Sequence, residues 1–203
     1  PPPSPLSALA AARLTFGPRP DDLLRIDALG VDAFIEEQLA PERLDDAALA
    51  QRLAAFDFSA LTMLPGDFEK KQTPLPLAQL QQHTLLRAVY SQRQLYEVMV
   101  DFWTNHFNIY FRAGPVKYLK HVDDRDVIRP HALGKFRDLL GASATSPAML
   151  MYLDNDSNKA GNPNENYARE LMELHTIGVD AGYTQQDVAE AARALTGWSV
   201  IGP

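Results

Sequence analysis

The chain has 203 residues, 46% hydrophobic and 22% charged, a composition that supports a packed core and excludes disorder over the whole chain. A net charge of −7 disfavours sequence-independent binding to phosphate backbones. The lack of cysteine excludes disulfides, thiolate zinc sites and a cysteine nucleophile, and no apolar run approaches the roughly 18 residues of a membrane span.

In chain order, Pro1 to Pro5 reads as a proline-rich leader or linker over residues 1–5. Ser4-Pro5 then supplies a helix N-cap and a first-turn proline, predicting a helix to about Leu14, stopped by Phe16-Gly17-Pro18. Helical spacing predicts further helices over Asp21–Leu29, Val31–Leu39 and Asp45–Phe56. Residues 57–76 change character: Leu64-Pro65-Gly66 is a turn signal and Lys70 to Pro74 a polar connector, so this stretch reads as a surface loop and a candidate docking element. Leu77–Tyr90 and Arg93–Asn108 are the strongest helices. A further helix is expected from Gly114-Pro115 to Arg129, halted by Pro130, then one over Leu133–Leu140 closed by Gly141 and a short one over Pro147–Tyr152.

Residues 153–162 form a polar loop. Asp154, Asn155, Asp156 and Ser157 carry oxygens suited to calcium, but the glycine and distal glutamate of an EF-hand are not at the required spacing, and Asx turns explain the composition better. Asn162-Pro163 opens a helix that carries Asn164 to His175 and ends at Gly178. Thr184 to Asp187 resembles a capping box for a last helix to about Thr196. With no alternating strand and no repeat, the expectation is an all-α fold, an irregular bundle of about eight to ten helices in one domain over residues 1–203.

The chain has no glycine-rich phosphate loop, no Gly-x-Ser-x-Gly elbow and no His-Glu-x-x-His motif. The candidates for chemistry are histidines on helices. On one helical wheel Leu95, Met99, Phe102 and His106 share an inward stripe, while Glu97, Asp101 and Asn105 point elsewhere. On the second, Tyr167, Ala168, Leu171, Leu174 and His175 lie on the apolar side, Glu165, Arg169 and Glu173 on the opposite one, and Glu170 at the border. Two readings stay open. His106 and His175 converge with Glu170 on a divalent metal or as acid–base groups, as bundle sites are built. Alternatively each is a core histidine bonded to a carbonyl or carboxylate. Glu173 and His175 stand about 200° apart on a regular helix, so they do not share an ion. Arg169 pairs with Glu165 and Glu173 at four-residue spacing. Arg129-Pro130-His131, where a proline orients two flanking polar groups, is a further catalytic candidate, and His83 and His121 have no supporting constellation.

Phe102 to Phe107, Ile128 to Gly134, Pro147 to Leu150 with Leu153-Asp154-Asn155, Asn164 to His175, and Gly182 to Asp187 with Thr196-Gly197-Trp198 occur in one order. Together they resemble the bacterial family catalogued as domain of unknown function 1800, over essentially the whole chain. The resemblance implies no specific activity. It does imply a periplasmic or secreted protein, often with an export signal. It also implies a neighbouring partner that looks like a sulfatase or phosphatase, and a length about twice this one, with further histidines and aspartates in a second half. Two functions follow as expectations: a metal-binding or metal-dependent enzyme domain built on His106, His175 and Glu170 with His131 and Arg129 in support, or a non-catalytic scaffold for the phosphatase-like partner.

Overall fold

Ser4 starts the first helix in a computed structural model of the chain, which describes residues 4–19, 21–67, 73 and 75–200. Its side chain accepts the Ser7 N–H, and Pro5 occupies the first turn of α1, Pro5–Leu14. Further helices among the described residues include α2 (Asp22–Leu29), α3 (Val31–Gln38), α4 (Ala47–Leu53), α5 (Leu75–Tyr90), α6 (Gln94–His106), α7 (Lys120–Asp123), α8 (Arg129–His131), α9 (Phe136–Ala144), α10 (Pro147–Tyr152), α11 (Asn166–Glu173) and α12 (Gln185–Ala194). The fold is all-α: among the described residues the one extended pairing is an isolated bridge between Lys159 and Asn162. No described helix is long and apolar enough to cross a membrane.

The chain divides into two compact units, residues 1–60 with 78–102 and residues 61–77 with 103–203. In the first, α1, α2 and α3 close on Ala11, Ile26 and Phe34, with Leu14, Leu23 and Val31 packed against them. Buried side chains then tie loops to helix ends. Gln38 donates to the Gln92 carbonyl at 3.0 Å and accepts the Leu95 N–H at 3.1 Å, and Asp46 accepts from the Ser91 hydroxyl at 2.7 Å and the Gln92 N–H at 2.8 Å. These bonds satisfy the N-terminal donors that a helix leaves open. Glu97, placed on the outer face by its helical spacing, is instead buried, because Arg87 reaches it at 3.3 Å. Phe102, placed on the inner stripe, is 52% exposed.

In the second unit, several expected helix ends move. Gly141 does not close α9, which continues to Ala144, because Leu139 and Ser143 on either side of it are both buried and hold the helix past the glycine. Pro130 does not end its helix either. After α7 the backbone widens into a π turn over Asp124–Ile128, where Arg129 N–H bonds five residues back to the Asp124 carbonyl, and α8 then carries Pro130. The wider turn moves the carbonyl that a proline ring would otherwise strike, so the ring is accommodated.

The helix expected to open at Asn162-Pro163 begins only at Asn166, where Asn164 Oδ1 accepts the Asn166 N–H at 3.0 Å. Ser146 and Thr184 act as N-caps, and Thr184 with Asp187 completes a capping box. The surface loop expected over 57–76 is partly structural. Ser59–Thr62 forms a 3-10 turn in which Ala60 is fully buried, while Leu64 is 72% exposed. The expected leader residues Pro1–Pro3 and most of the Lys70–Pro74 connector lie outside the described residues.

The loop after α10 is an internal crosslink. Asn155, with no exposure at all, donates to the Leu195 and Trp198 carbonyls at 3.3 and 3.2 Å and accepts from Asn158 Nδ2 at 3.1 Å. Asn158 also donates to the Ala192 carbonyl at 2.9 Å and accepts the Asn164 N–H at 2.9 Å. These amides pin both ends of the loop to the C-terminal end of α12, while Asp154 takes the left-handed conformation (φ 59°) that lets the chain turn. Removing such a hub strands several buried partners. Asn155→Ala is expected to lower stability by about 2 kcal/mol in urea unfolding, and Asp156→Ala, one residue on and exposed, to change it by less than about 0.5 kcal/mol.

Candidate functional site

The second unit collects the residues singled out by the sequence around Phe107, which is 1% exposed. The last turn of α6 presents Trp103 and His106, α9 begins with Phe136, and the turn after α11 delivers His175. Ring centroids lie 4.7 Å from Phe107 to His106, 5.2 Å to His175, 6.1 Å to Trp103 and 6.2 Å to Phe136. The His106 ring meets Phe107 edge-on, at 89°, a favourable aromatic geometry. Trp103 anchors the cluster through its indole N–H, which donates to the Ala132 carbonyl at 3.0 Å.

His175 does not lie on the helix. α11 stops at Glu173, and a turn takes over in which the N–H groups of Leu174 and His175 both bond the Glu170 carbonyl. Ile177 and Gly178 N–H groups bond the Met172 carbonyl, with Gly178 at φ 88°. This wider turn replaces the 200° separation of Glu173 and His175 expected on a regular helix. It sends His175 inward, 5% exposed, and Leu174 outward, 64% exposed, although the wheel places Leu174 with the core.

The two histidines meet ring to backbone. His106 Nε2 lies 3.0 Å from the His175 carbonyl oxygen, and a carbonyl only accepts, so Nε2 carries the proton. The imidazole centroids are 6.4 Å apart. Burial, with a smaller contribution from His106, lowers the His175 pKa from 6.5 to about 4, so the ring is neutral at neutral pH. Among the described residues, no three His, Asp or Glu side chains are arranged to hold a metal ion.

The other candidates are placed as follows. Glu170 is half-buried, and its carbonyl closes the end of α11. Arg169 bonds Glu165 at 3.1 Å and stands 3.6 Å from Glu173, and it also reaches Gln185 on α12 at 2.8 Å. His131 Nδ1 donates to the Val127 carbonyl at 2.7 Å, and His121 Nε2 to the Met63 carbonyl at 3.3 Å. Arg129 bonds Asp124 at 2.8 Å, a pair that is about nine-tenths buried.

Sequence reasoning passed over this last region. Lys120, Asp123 and Asp124 are all buried at the start of the π turn, and burial raises the Asp123 pKa above its usual range although Lys120 stands 3.6 Å away. The available signal was the five-residue spacing of Asp124 and Arg129. A regular helix splays such a pair apart, and a π turn brings it together.

A family model described as protein of unknown function (DUF1800) matches residues 9–202. No curated protein and no solved structure matches the chain.

Proposed function

The chain belongs to this family of unknown function, and from that premise we propose that it is a non-catalytic helical partner domain whose histidine block is a folding device. The observation that carries this reading is the hydrogen bond from His106 Nε2 to the His175 carbonyl. It commits the Nε2 proton to the backbone and so fixes the tautomer and orientation of the ring, which is the part a structural histidine plays. His121 and His131 use ring N–H groups on backbone carbonyls in the same way.

A partner-facing surface is supported by the turn after α11. Leu174, Ile177 and Val179 are 64%, 56% and 68% exposed within six residues, a density of apolar side chains that suits contact with another protein. The sulfatase- or phosphatase-like partner implied by the family resemblance, and a periplasmic or secreted location, belong to this proposal.

Elemental analysis of protein purified without a histidine tag tests it. The expected result is no stoichiometric metal, with His106→Ala and His175→Ala losing stability. Stoichiometric metal that disappears in both variants while they stay folded would instead establish the metal-dependent alternative.

A further inference from the structure

The first unit contains a cleft of about 380 Å³, in the range of small-molecule sites. Its walls come from the chain entering α4, from α4 itself, from α5 and from the residue before α6. Leu44 and Leu53 supply apolar surface, Asp45 and Asp46 two carboxylates, and Arg87 and Arg93 two guanidinium groups.

These charged groups are not used up on one another. Asp46 gives its two oxygens to the Ser91 hydroxyl and the Gln92 N–H, at 2.7 and 2.8 Å, and Arg93 Nε stands 4.0 Å from it, beyond hydrogen-bond length. Arg93 instead donates from Nη2 to the Leu44 carbonyl at 3.1 Å, and its Nη1 bonds no acceptor among the described residues. Arg87 donates from Nε to His83 and from Nη1 to Glu97, and its Nη2 likewise bonds none. Asp45 accepts the Ala47 N–H on Oδ1 at 2.9 Å, and its Oδ2 receives no bond from the described residues. Solvent reaches all three side chains: Asp45 is exposed, and those of Arg87 and Arg93 are 26% and 36% exposed.

Two cationic and two anionic side chains therefore line one cleft beside leucines, with open donors and an open acceptor at its surface. A carboxylate alone would meet the two arginines but also Asp45 and Asp46, and an amine alone would meet the reverse mismatch. A zwitterion offers each sign its opposite, and charge-assisted hydrogen bonds are the stronger ones.

We propose that this cleft binds a free α-amino acid with an aliphatic side chain. Its carboxylate sits at the Arg87 and Arg93 guanidinium groups, its ammonium at Asp45 Oδ2, and its side chain on Leu44 and Leu53. The planar fork of a guanidinium matches a carboxylate, and a carboxylate oxygen suits an ammonium. The site belongs to the first unit, whereas the histidine cluster belongs to the second.

The test is an amide-resolved NMR titration of the full chain with L-leucine, N-acetyl-L-leucine and L-leucinamide, which share a side chain and of which the last two lack the ammonium and the carboxylate respectively. The expected result is saturable shifts with L-leucine centred on residues 44–53 and 87–93, and binding of each blocked form weaker by at least about tenfold, the loss of one charge-assisted hydrogen bond. Asp45→Asn keeps an oxygen for the Ala47 N–H and should abolish the preference for L-leucine over N-acetyl-L-leucine, a change that a merely structural aspartate would not produce. Ala50→Phe occupies the cleft from α4 and should weaken L-leucine binding by at least about tenfold. Absence of saturation would overturn the proposal. So would either blocked form binding as tightly as L-leucine, a folded Asp45→Asn that keeps the full preference, or a folded Ala50→Phe that binds L-leucine unchanged. The comparison of the three ligands on the unaltered chain decides even if neither variant folds.

Discussion

Phe107→Ala will lower the unfolding free energy by about 3–5 kcal/mol, the largest single-residue loss expected in this chain. The side chain is 1% exposed and touches rings from three separate segments: Trp103 and His106 on α6, Phe136 on α9 and His175 after α11. Removing it opens a cavity that relaxation fills only in part, and it takes away the surface against which both imidazoles lie. Phe107→Leu, which keeps most of the volume, should cost clearly less. Urea unfolding of the two variants reads both numbers. A loss below about 1 kcal/mol for Phe107→Ala would mean that the cluster is peripheral and that the second unit is held elsewhere.

Acidification supplies the second large effect. The folded His175 takes up a proton only near pH 4, whereas the unfolded chain does so near 6.5. Between these values the unfolded state binds more protons, so stability must fall as pH falls. The contribution is fully present above pH 6.5 and is lost by about pH 4. The gap between the two pKa values corresponds to at most about 3 kcal/mol. His121, whose pKa burial also lowers, adds to the same trend. Asp123 opposes it, because a carboxyl with a raised pKa is less penalised once protonated. His175→Gln isolates the imidazole: it should flatten the fall in melting temperature between neutral pH and pH 4 while leaving the opposing and reinforcing groups in place. A variant with an undiminished slope would remove His175 from the account.

What the sequence discloses about this fold is mostly local chemistry. Ser4 with Pro5 and Thr184 with Asp187 start helices where their patterns predict, and the short helix over Pro147–Tyr152 is found as expected, because cap and helix are neighbours in the chain. Arg169 with Glu165 and Glu173 is legible for the same reason. Misplaced helix ends arise where a distant contact overrides the local signal. Gly141 reads as a stop until Leu139 and Ser143 are seen to be buried around it, and Pro130 reads as a stop until the π turn before it is known. The loop at 153–162 shows the limit most clearly. Its amides look like turn formers or calcium ligands, yet Asn155 and Asn158 are spent on carbonyls 34 to 43 residues away. No spacing rule encodes that separation.

The candidate site divides in the same manner. Apolar periodicity places His106 and His175 toward an interior, but it cannot say whether a ring meets another ring, an ion or a carbonyl. That outcome depends on α11 ending at Glu173, which turns the His175 carbonyl toward a ring 69 residues earlier in the chain. The buried Asp123 left still less trace, since Lys120 and Asp123 resemble an ordinary charged helix face until α10 packs against α7 and α9 against the π turn.

The central claim is that His106 is a donor to the backbone and not a ligand or a base. Long-range 1H–15N NMR of the imidazoles tests it most directly, because it reports which ring nitrogen carries the proton. The account predicts His106 protonated at Nε2 at neutral pH, with resonances that do not move when one equivalent of Zn²⁺ is added. A His106 ring deprotonated at Nε2, shifting together with His175 as zinc is added, would contradict it.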